Sequence, residues 1–272
     1  MPPADGAGDA PGSPDGAYAQ PAPRLLYVHD DLTPEIEARF GPSSEAAALA
    51  RSLLALVAGD GAGVRILTLA DQLDRVVAQG PYGPFDWTLG IGRAGERVAQ
   101  ALHARTGWFP RIRRIGLTRE EDGRGGYRVV STEPRTLPAQ LEGVGPGSLA
   151  VVDDTVFSGL TMRNLLEALP EARRARARVF CLRGVADSIA SVAALCPVTA
   201  GIAAPGRILE DVSFINASGL VLRVGIRRSG RPPLAFFERP DWIRAWFPGR
   251  DGPVLEACRR LNALLESPSA PA

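Results

Sequence analysis

The sequence predicts an α/β fold, a parallel sheet with helices on both faces, with a mainly antiparallel extension at its C-terminal end. Three observations predict it. Between Trp87 and Ala203, short apolar runs alternate with longer amphipathic stretches, the strand–helix rhythm that builds parallel sheets. The run Leu149-Ala150-Val151-Val152 is apolar without a break, as a strand covered on both faces must be. After Gly206 the rhythm stops, and Phe214, Phe236, Phe237, Trp242, Trp246 and Phe247 stand among turn formers.

The elements follow in order. Residues 1–23, rich in Ala, Pro, Gly and Asp, are expected to be a disordered tail, and they lack the basic start of a secretory signal. Leu25 to Val28 and Val64 to Leu69 have strand length and composition. Ser44 to Val57 reads as a helix opened by a serine cap, and Leu69 to Gln79 as a helix broken by Gly80-Pro81. Then come a strand at Trp87–Ile91, a helix at Ala94–Thr106, a strand at Arg111–Leu117 and a polar loop from Thr118 to Gly126. The remainder of the core reads as strand 149–153, helix 160–174, strand 177–185, helix 187–195 and strand 198–203, with a last helix near Pro253–Leu265. Residues 24–204 are thus expected to form an α/β core, and residues 205–272 the extension.

Composition removes several classes of function. All 31 basic residues are Arg against 30 acidic ones, so no mechanism built on a lysine amine is available. The near balance of charge gives no reason to expect a nucleic acid as partner, and no apolar run approaches a membrane span. Cys181, Cys196 and Cys258 are widely spaced, and the chain has only His29 and His103 beside them. A zinc site is therefore unsupported, and reduced buried thiols in a cytoplasmic protein are expected.

The chemistry is concentrated in Leu149-Ala150-Val151-Val152-Asp153-Asp154-Thr155-Val156-Phe157-Ser158-Gly159-Leu160-Thr161. A buried strand ends in two carboxylates, and a small polar turn leads into a helix. Amides and hydroxyls at a helix N-terminus favour a phosphate, while two carboxylates just before them accept from vicinal hydroxyls or hold Mg²⁺. The plainer alternative is a strand ending in two solvated aspartates. Upstream, Leu89-Gly90-Ile91-Gly92-Arg93-Ala94-Gly95 is a strand running into a glycine-punctuated turn. It either faces an anion with its amides and Arg93 or is an ordinary strand-to-helix turn. The polar 118–126 stretch carries Arg119 and Arg124 and is either a lid or a solvated loop.

These segments resemble, in type and order, the 5-phosphoribosyl-1-diphosphate (PRPP) motif, pyrophosphate loop and flexible loop of type I phosphoribosyltransferases. The resemblance covers roughly residues 64–203. It implies that Asp153 and Asp154 hold the ribose hydroxyls, and Mg²⁺ directly or through water. Thr155, Phe157, Ser158, Gly159, Leu160 and Thr161 would cradle the 5-phosphate, and Gly92, Arg93, Ala94 and Gly95 the pyrophosphate. Arg119 and Arg124 would close over it. Implied with these are attack of a small-molecule acceptor on the anomeric carbon as pyrophosphate leaves, and a homodimer as a compatible assembly. Thr155 replaces a usual aliphatic. Phe157 stands where 6-oxopurine enzymes of the family carry an aspartate, which argues against hypoxanthine or guanine as acceptor. The acceptor would be a nucleobase under an aromatic lid from Phe157, Phe214 or Trp246, or a hydroxylated or amino compound facing Glu210, Asp211, Ser213 and Asn216. Residues 205–272 would form the hood over it. A different class also fits the motif: a non-catalytic, PRPP- or nucleotide-binding regulatory protein.

Overall fold

A computed structural model describes residues 23–59, 61, 63–121, 127–228 and 230–266. The expected tail up to residue 22 and Arg124 lie outside the described residues.

Five parallel strands form the central sheet, in the order β4-β3-β7-β8-β9. They are β3 (Trp87–Ile91), β4 (Ile112–Ile115), β7 (Leu149–Val156), β8 (Ala177–Val185) and β9 (Val198–Ala204). Alternation along β7 explains its unbroken apolar run. Leu149 and Val151 pack with Met162, Leu165 and Leu166 of α6 (Leu160–Ala168) on one face. Ala150 and Val152 pack on the other face with Leu73 and Val76 of α3 (Leu69–Val77) and with Val98, Ala99 and Leu102 of α4 (Gly92–Thr106). The helix expected over 160–174 ends at Ala168 and resumes as α7 (Glu171–Arg174). Pro170 denies its predecessor the helical conformation, which divides the helix there.

The strands read at Leu25 and Val64 do not join this sheet. β1 (Leu25–His29) lies between β2 (Val64–Leu67) and β10 (Val212–Asn216), all parallel. Period-two alternation gives this second sheet two different faces. Leu26, Val28, Val64 and Ile215 enter one apolar cluster with α1 (Leu32–Phe40), α2 (Glu45–Ala58) and α11 (Asp251–Glu266). Tyr27, Val212 and Phe214 turn the other way and pack with Val185, Ala204 and Phe157 of the central unit. The extension also contains α9 (Ala217–Val221), the antiparallel pair β11 (Ile226–Arg228) and β12 (Arg231–Leu234), and α10 (Pro240–Trp246). Its aromatic residues Phe236, Trp242, Trp246 and Phe247 form the core beneath these elements.

One expectation is corrected. The stretch from Thr118, read as loop, begins as strand β5 (Leu117–Glu121), paired with β6 (Tyr127–Ser131) in an antiparallel hairpin. Tyr127, Val129 and Val130 on the partner strand are good strand formers, and Arg128 neutralises Glu120 across the pair. Residues 122–126 lie outside the described residues. All three cysteines are free and buried. No described helix is long and apolar enough to cross a membrane.

Candidate active site

Both sheets present the carboxyl ends of their strands to one region, where ligands of parallel α/β sheets bind. Asp153, Asp154 and Thr155 belong to the end of β7, opposite Cys181 and Arg183 of β8. His29 and Asn216 end β1 and β10, directly across from one another.

The turn after β7 is shaped by Gly159, whose φ of 72° lies in the left-handed region, where only glycine sits without penalty. A Cβ there would also come 3.2 Å from Val192 Cγ2 and 3.4 Å from the Ser188 carbonyl oxygen. The turn is therefore pressed against α8 (Ala186–Ala193), and α6 starts with no side-chain cap. Ser158 is exposed, and its Oγ accepts from the Leu160 amide at 3.4 Å and from Arg119 Nη1 at 3.3 Å. Arg119 also lies 5.2 Å from the Phe157 ring centre and 5.6 Å from that of Tyr127. The hairpin thus delivers Arg119 to the turn after β7. Burial presses its pKa downward, and Tyr127, Asp153 and Asp154 oppose that shift.

The two carboxylates are not equivalent. Asp153 Oδ1 accepts from the Asp154 amide at 2.8 Å. Burial, and then the Asp154 charge, raise the Asp153 carboxyl well above the usual carboxylate range. Asp154 Oδ2 accepts from Thr155 Oγ1 at 3.1 Å and forms an ion pair with Arg183 Nη2 at 3.1 Å. The Arg183 side chain is only 1% exposed and that of Asp154 22%. Crowded carboxylates of this kind suit a cation or a pair of ribose hydroxyls. Among the described residues no group of three or more His, Cys, Asp or Glu side chains assembles as a metal site. The Asp153–Asp154 pair would suit Mg²⁺, which prefers one or two carboxylates plus substrate oxygens over an all-protein cage.

The segment 92–95 leads into the same place. Gly92, with φ of 59°, opens α4, whose first turn has no side-chain cap. Arg93 and Ala94 are exposed, and Arg93 has no partner recorded among the described residues. Two of the glycines here have a packing reason. A Cβ at Gly95 would lie 2.3 Å from the Val152 carbonyl oxygen, and one at Gly90 would lie 2.6 Å from the Glu96 amide. Their absence of side chain lets α4 sit directly on β3 and β7.

Behind Asp154 stands a network that motif reading did not find. Arg183 donates to Gln72 Oε1 at 2.9 Å and Asn216 Oδ1 at 2.7 Å, besides Asp154. Gln72 Nε2 lies 2.9 Å from His29 Nδ1 and donates to the Thr68 carbonyl at 2.9 Å. A signal was present: one arginine inside the otherwise apolar run Val179–Val185, and a strand ending His29-Asp30-Asp31 much as β7 ends Asp153-Asp154. Of the aromatic residues considered for a lid, Phe157 packs beside the turn and Phe214 stacks on Tyr27 at 5.0 Å. Trp246 instead lies in the helical core of the second unit. Of the polar residues, Asn216 reaches the site, whereas Asp211 pairs with Arg207 and Arg24, and Glu210 with Arg207.

No family model and no curated protein matches the chain. Among solved structures it is similar to a purine phosphoribosyltransferase from Pyrococcus horikoshii Ot3, at 16% identity and a TM-score of 0.37, covering 53% of this chain and 86% of that one. It is also similar to a hypothetical protein from Neisseria gonorrhoeae with bound ppGpp, at 16% identity and a TM-score of 0.35, covering 61% and 82%. A third is the xanthine-guanine-hypoxanthine phosphoribosyltransferase of Helicobacter pylori, at 15% identity and a TM-score of 0.34, covering 54% and 86%.

Proposed function

We propose that the chain is a pentosyltransferase that moves 5-phosphoribosyl from PRPP to a small-molecule acceptor and releases pyrophosphate. The observation that supports it most is the single continuous unit at the end of β7. There Asp153 and Asp154 precede a glycine-shaped turn at the uncapped start of α6, and Arg119 arrives from the hairpin. In this reading Asp153 and Asp154 accept from the ribose hydroxyls. Thr155, Phe157, Ser158, Gly159, Leu160 and Thr161 surround the 5-phosphate with amides and hydroxyls.

Gly92, Arg93, Ala94 and Gly95 face the pyrophosphate, with backbone amides at the start of α4 and the exposed Arg93 guanidinium. Arg119, with Arg124 from the 118–126 stretch of sequence, covers the phosphates and excludes water. Asp153 and Asp154 would hold Mg²⁺ together with substrate oxygens, and the ion would supply charge neutralisation for pyrophosphate. The Asp pair also lies where positive charge develops on the sugar as the anomeric bond breaks. Phe157 offers no proton acceptor, so 6-oxopurines are poor acceptors. The second unit, with residues 205–272 as its larger part, serves as the hood.

The experiment is pyrophosphate release from PRPP with Mg²⁺ across a panel of nucleobases, amines and hydroxylated compounds. Acceptor-dependent release that is lost on replacing Asp153 and Asp154 with Ala supports the transferase. Tight PRPP binding with no release for any acceptor would favour the regulatory, non-catalytic reading. No PRPP binding at all would reject the transferase and the PRPP-binding regulator alike.

A further inference from the structure

The directions of the hydrogen bonds behind Asp154 follow from chemistry. Arginine has donors only. The atom of Gln72 that faces Arg183 Nη1 at 2.9 Å must therefore be its oxygen, which commits the amide nitrogen to the other side. That nitrogen has two hydrogens and two neighbours, the Thr68 carbonyl and His29 Nδ1, each at 2.9 Å. Thr68 offers only a lone pair, and the second hydrogen goes to His29. His29 Nδ1 therefore accepts, and the proton of the neutral ring lies on Nε2. The Leu67 carbonyl, 3.3 Å from Nδ1, then faces the same nitrogen with no proton between them.

His29 is 8% exposed and lies on the face of β1 that turns to the central unit, opposite Asn216. No partner for Nε2 is recorded among the described residues. The charged groups that act on the ring are Arg183, Asp31 and Asp154. Asp31 is itself held by Ser218, whose amide and hydroxyl donate to its carboxylate at 2.8 and 2.6 Å.

We propose that Arg183 and Gln72 are positioning residues: Arg183 orients the Asp154 carboxylate and, through Gln72, holds His29 as the Nε2–H tautomer, a donor for an acceptor molecule that carries a carbonyl oxygen or ring nitrogen beside the sugar. The parts concerning Asp154 and the acceptor molecule rest on the function proposed above; the tautomer does not. A ring that accepts at Nδ1 and donates at Nε2 has no lone pair left to act as a base. Held in this tautomer, His29 can donate to the acceptor and cannot deprotonate it.

The test uses the full chain labelled with nitrogen-15 histidine. Its two histidines, His29 and His103, are distinguished by a His29→Asn variant. The ring correlation spectrum at neutral pH is expected to show Nε2 protonated and Nδ1 bare for His29. Gln72→Glu presents carboxylate oxygens to both Arg183 and the ring, and Gln72→Met leaves Nδ1 only the Leu67 carbonyl. Either variant is expected to move the proton to Nδ1, so one that fails to fold is covered by the other. A protonated Nδ1 in the wild type, or a tautomer indifferent to Gln72, overturns the proposal.

Calorimetry with Mg²⁺ and PRPP tests the other half. Arg183→Met is expected to weaken PRPP by about tenfold or more, the effect of losing a hydrogen bond to a charged group, and Arg183→Lys by less. Unchanged affinity in Arg183→Met overturns the positioning of Asp154. Absence of PRPP binding in the wild type overturns the ribose reading itself, and the tautomer still decides the Arg183–Gln72–His29 chain.

Discussion

Replacing Gly95 by alanine tests whether the glycines of the 90–95 segment serve packing or only ligand approach. The added methyl carbon would stand 2.3 Å from the Val152 carbonyl oxygen and 3.2 Å from the Gly90 carbonyl carbon, where ordinary contact begins near 3.4 Å. Both neighbours are backbone, so no flexible side chain can swing aside. The start of α4 must retreat from β7 by roughly 1 Å, an overpacking that costs about 1–3 kcal/mol. Alanine's better helix propensity returns up to about 1 kcal/mol. A net loss of about 1–2 kcal/mol is expected, read as a lower denaturation midpoint at unchanged slope.

Gly107→Ala is the control. Gly107 has φ of 73° and nothing within 4 Å of an added Cβ, so only the left-handed backbone penalty of about 1 kcal/mol applies. PRPP affinity should fall in Gly95→Ala as well, because the displaced turn adjoins Val152 and hence Asp153. A Gly95→Ala protein as stable as wild type, with only ligand binding weakened, would refute the packing argument.

Other outcomes follow from the same geometry. Arg119→Ala should lower pyrophosphate release by about tenfold or more with little loss of stability, checked by steady-state kinetics beside a melting curve. Phe157→Ala removes a ring that packs on the Tyr27–Phe214 cluster and lies under Arg119. It should cost about 1–2 kcal/mol by denaturation and weaken acceptor more than PRPP in binding assays. His29 has its pKa lowered, first by burial and then by Arg183. The unfolded chain therefore takes up the proton first, and stability should fall as pH drops below the ordinary value of 6.5. His29→Asn should flatten that slope in denaturation series run across the window. Hypoxanthine and guanine should give negligible turnover in the wild type, and robust turnover of either would show that Phe157 has been misread.

How far the sequence carries these conclusions differs between regions. The central strands were legible because their apolar runs are bounded by turn residues, and β8 runs over the expected 177–185. The β7 motif was legible because its elements are contiguous in sequence. The pairing of β1 with β10 was not, since strands nearly 190 residues apart in sequence, such as Leu25 and Val212, leave no local trace of their register. The hairpin at 117–131 was hidden by its charged residues, whose cross-strand pairing of Glu120 with Arg128 appears only once the strands are adjacent. The Arg183–Gln72–His29–Asn216 network joins residues from four separate elements. Arg183 stood out in its apolar run and Asn216 as a polar candidate, but only folding makes them neighbours of Gln72 and His29.

The central claim is that the turn after Asp153 and Asp154 binds PRPP. Calorimetric titration of PRPP into the wild type and the Asp153→Ala/Asp154→Ala variant, each with and without Mg²⁺, tests it most directly. Saturable one-to-one binding is expected in the wild type, strengthened by Mg²⁺, and lost in a double variant that remains folded. Wild-type protein that binds no PRPP with excess Mg²⁺, or a double variant that binds it undiminished, would contradict the account.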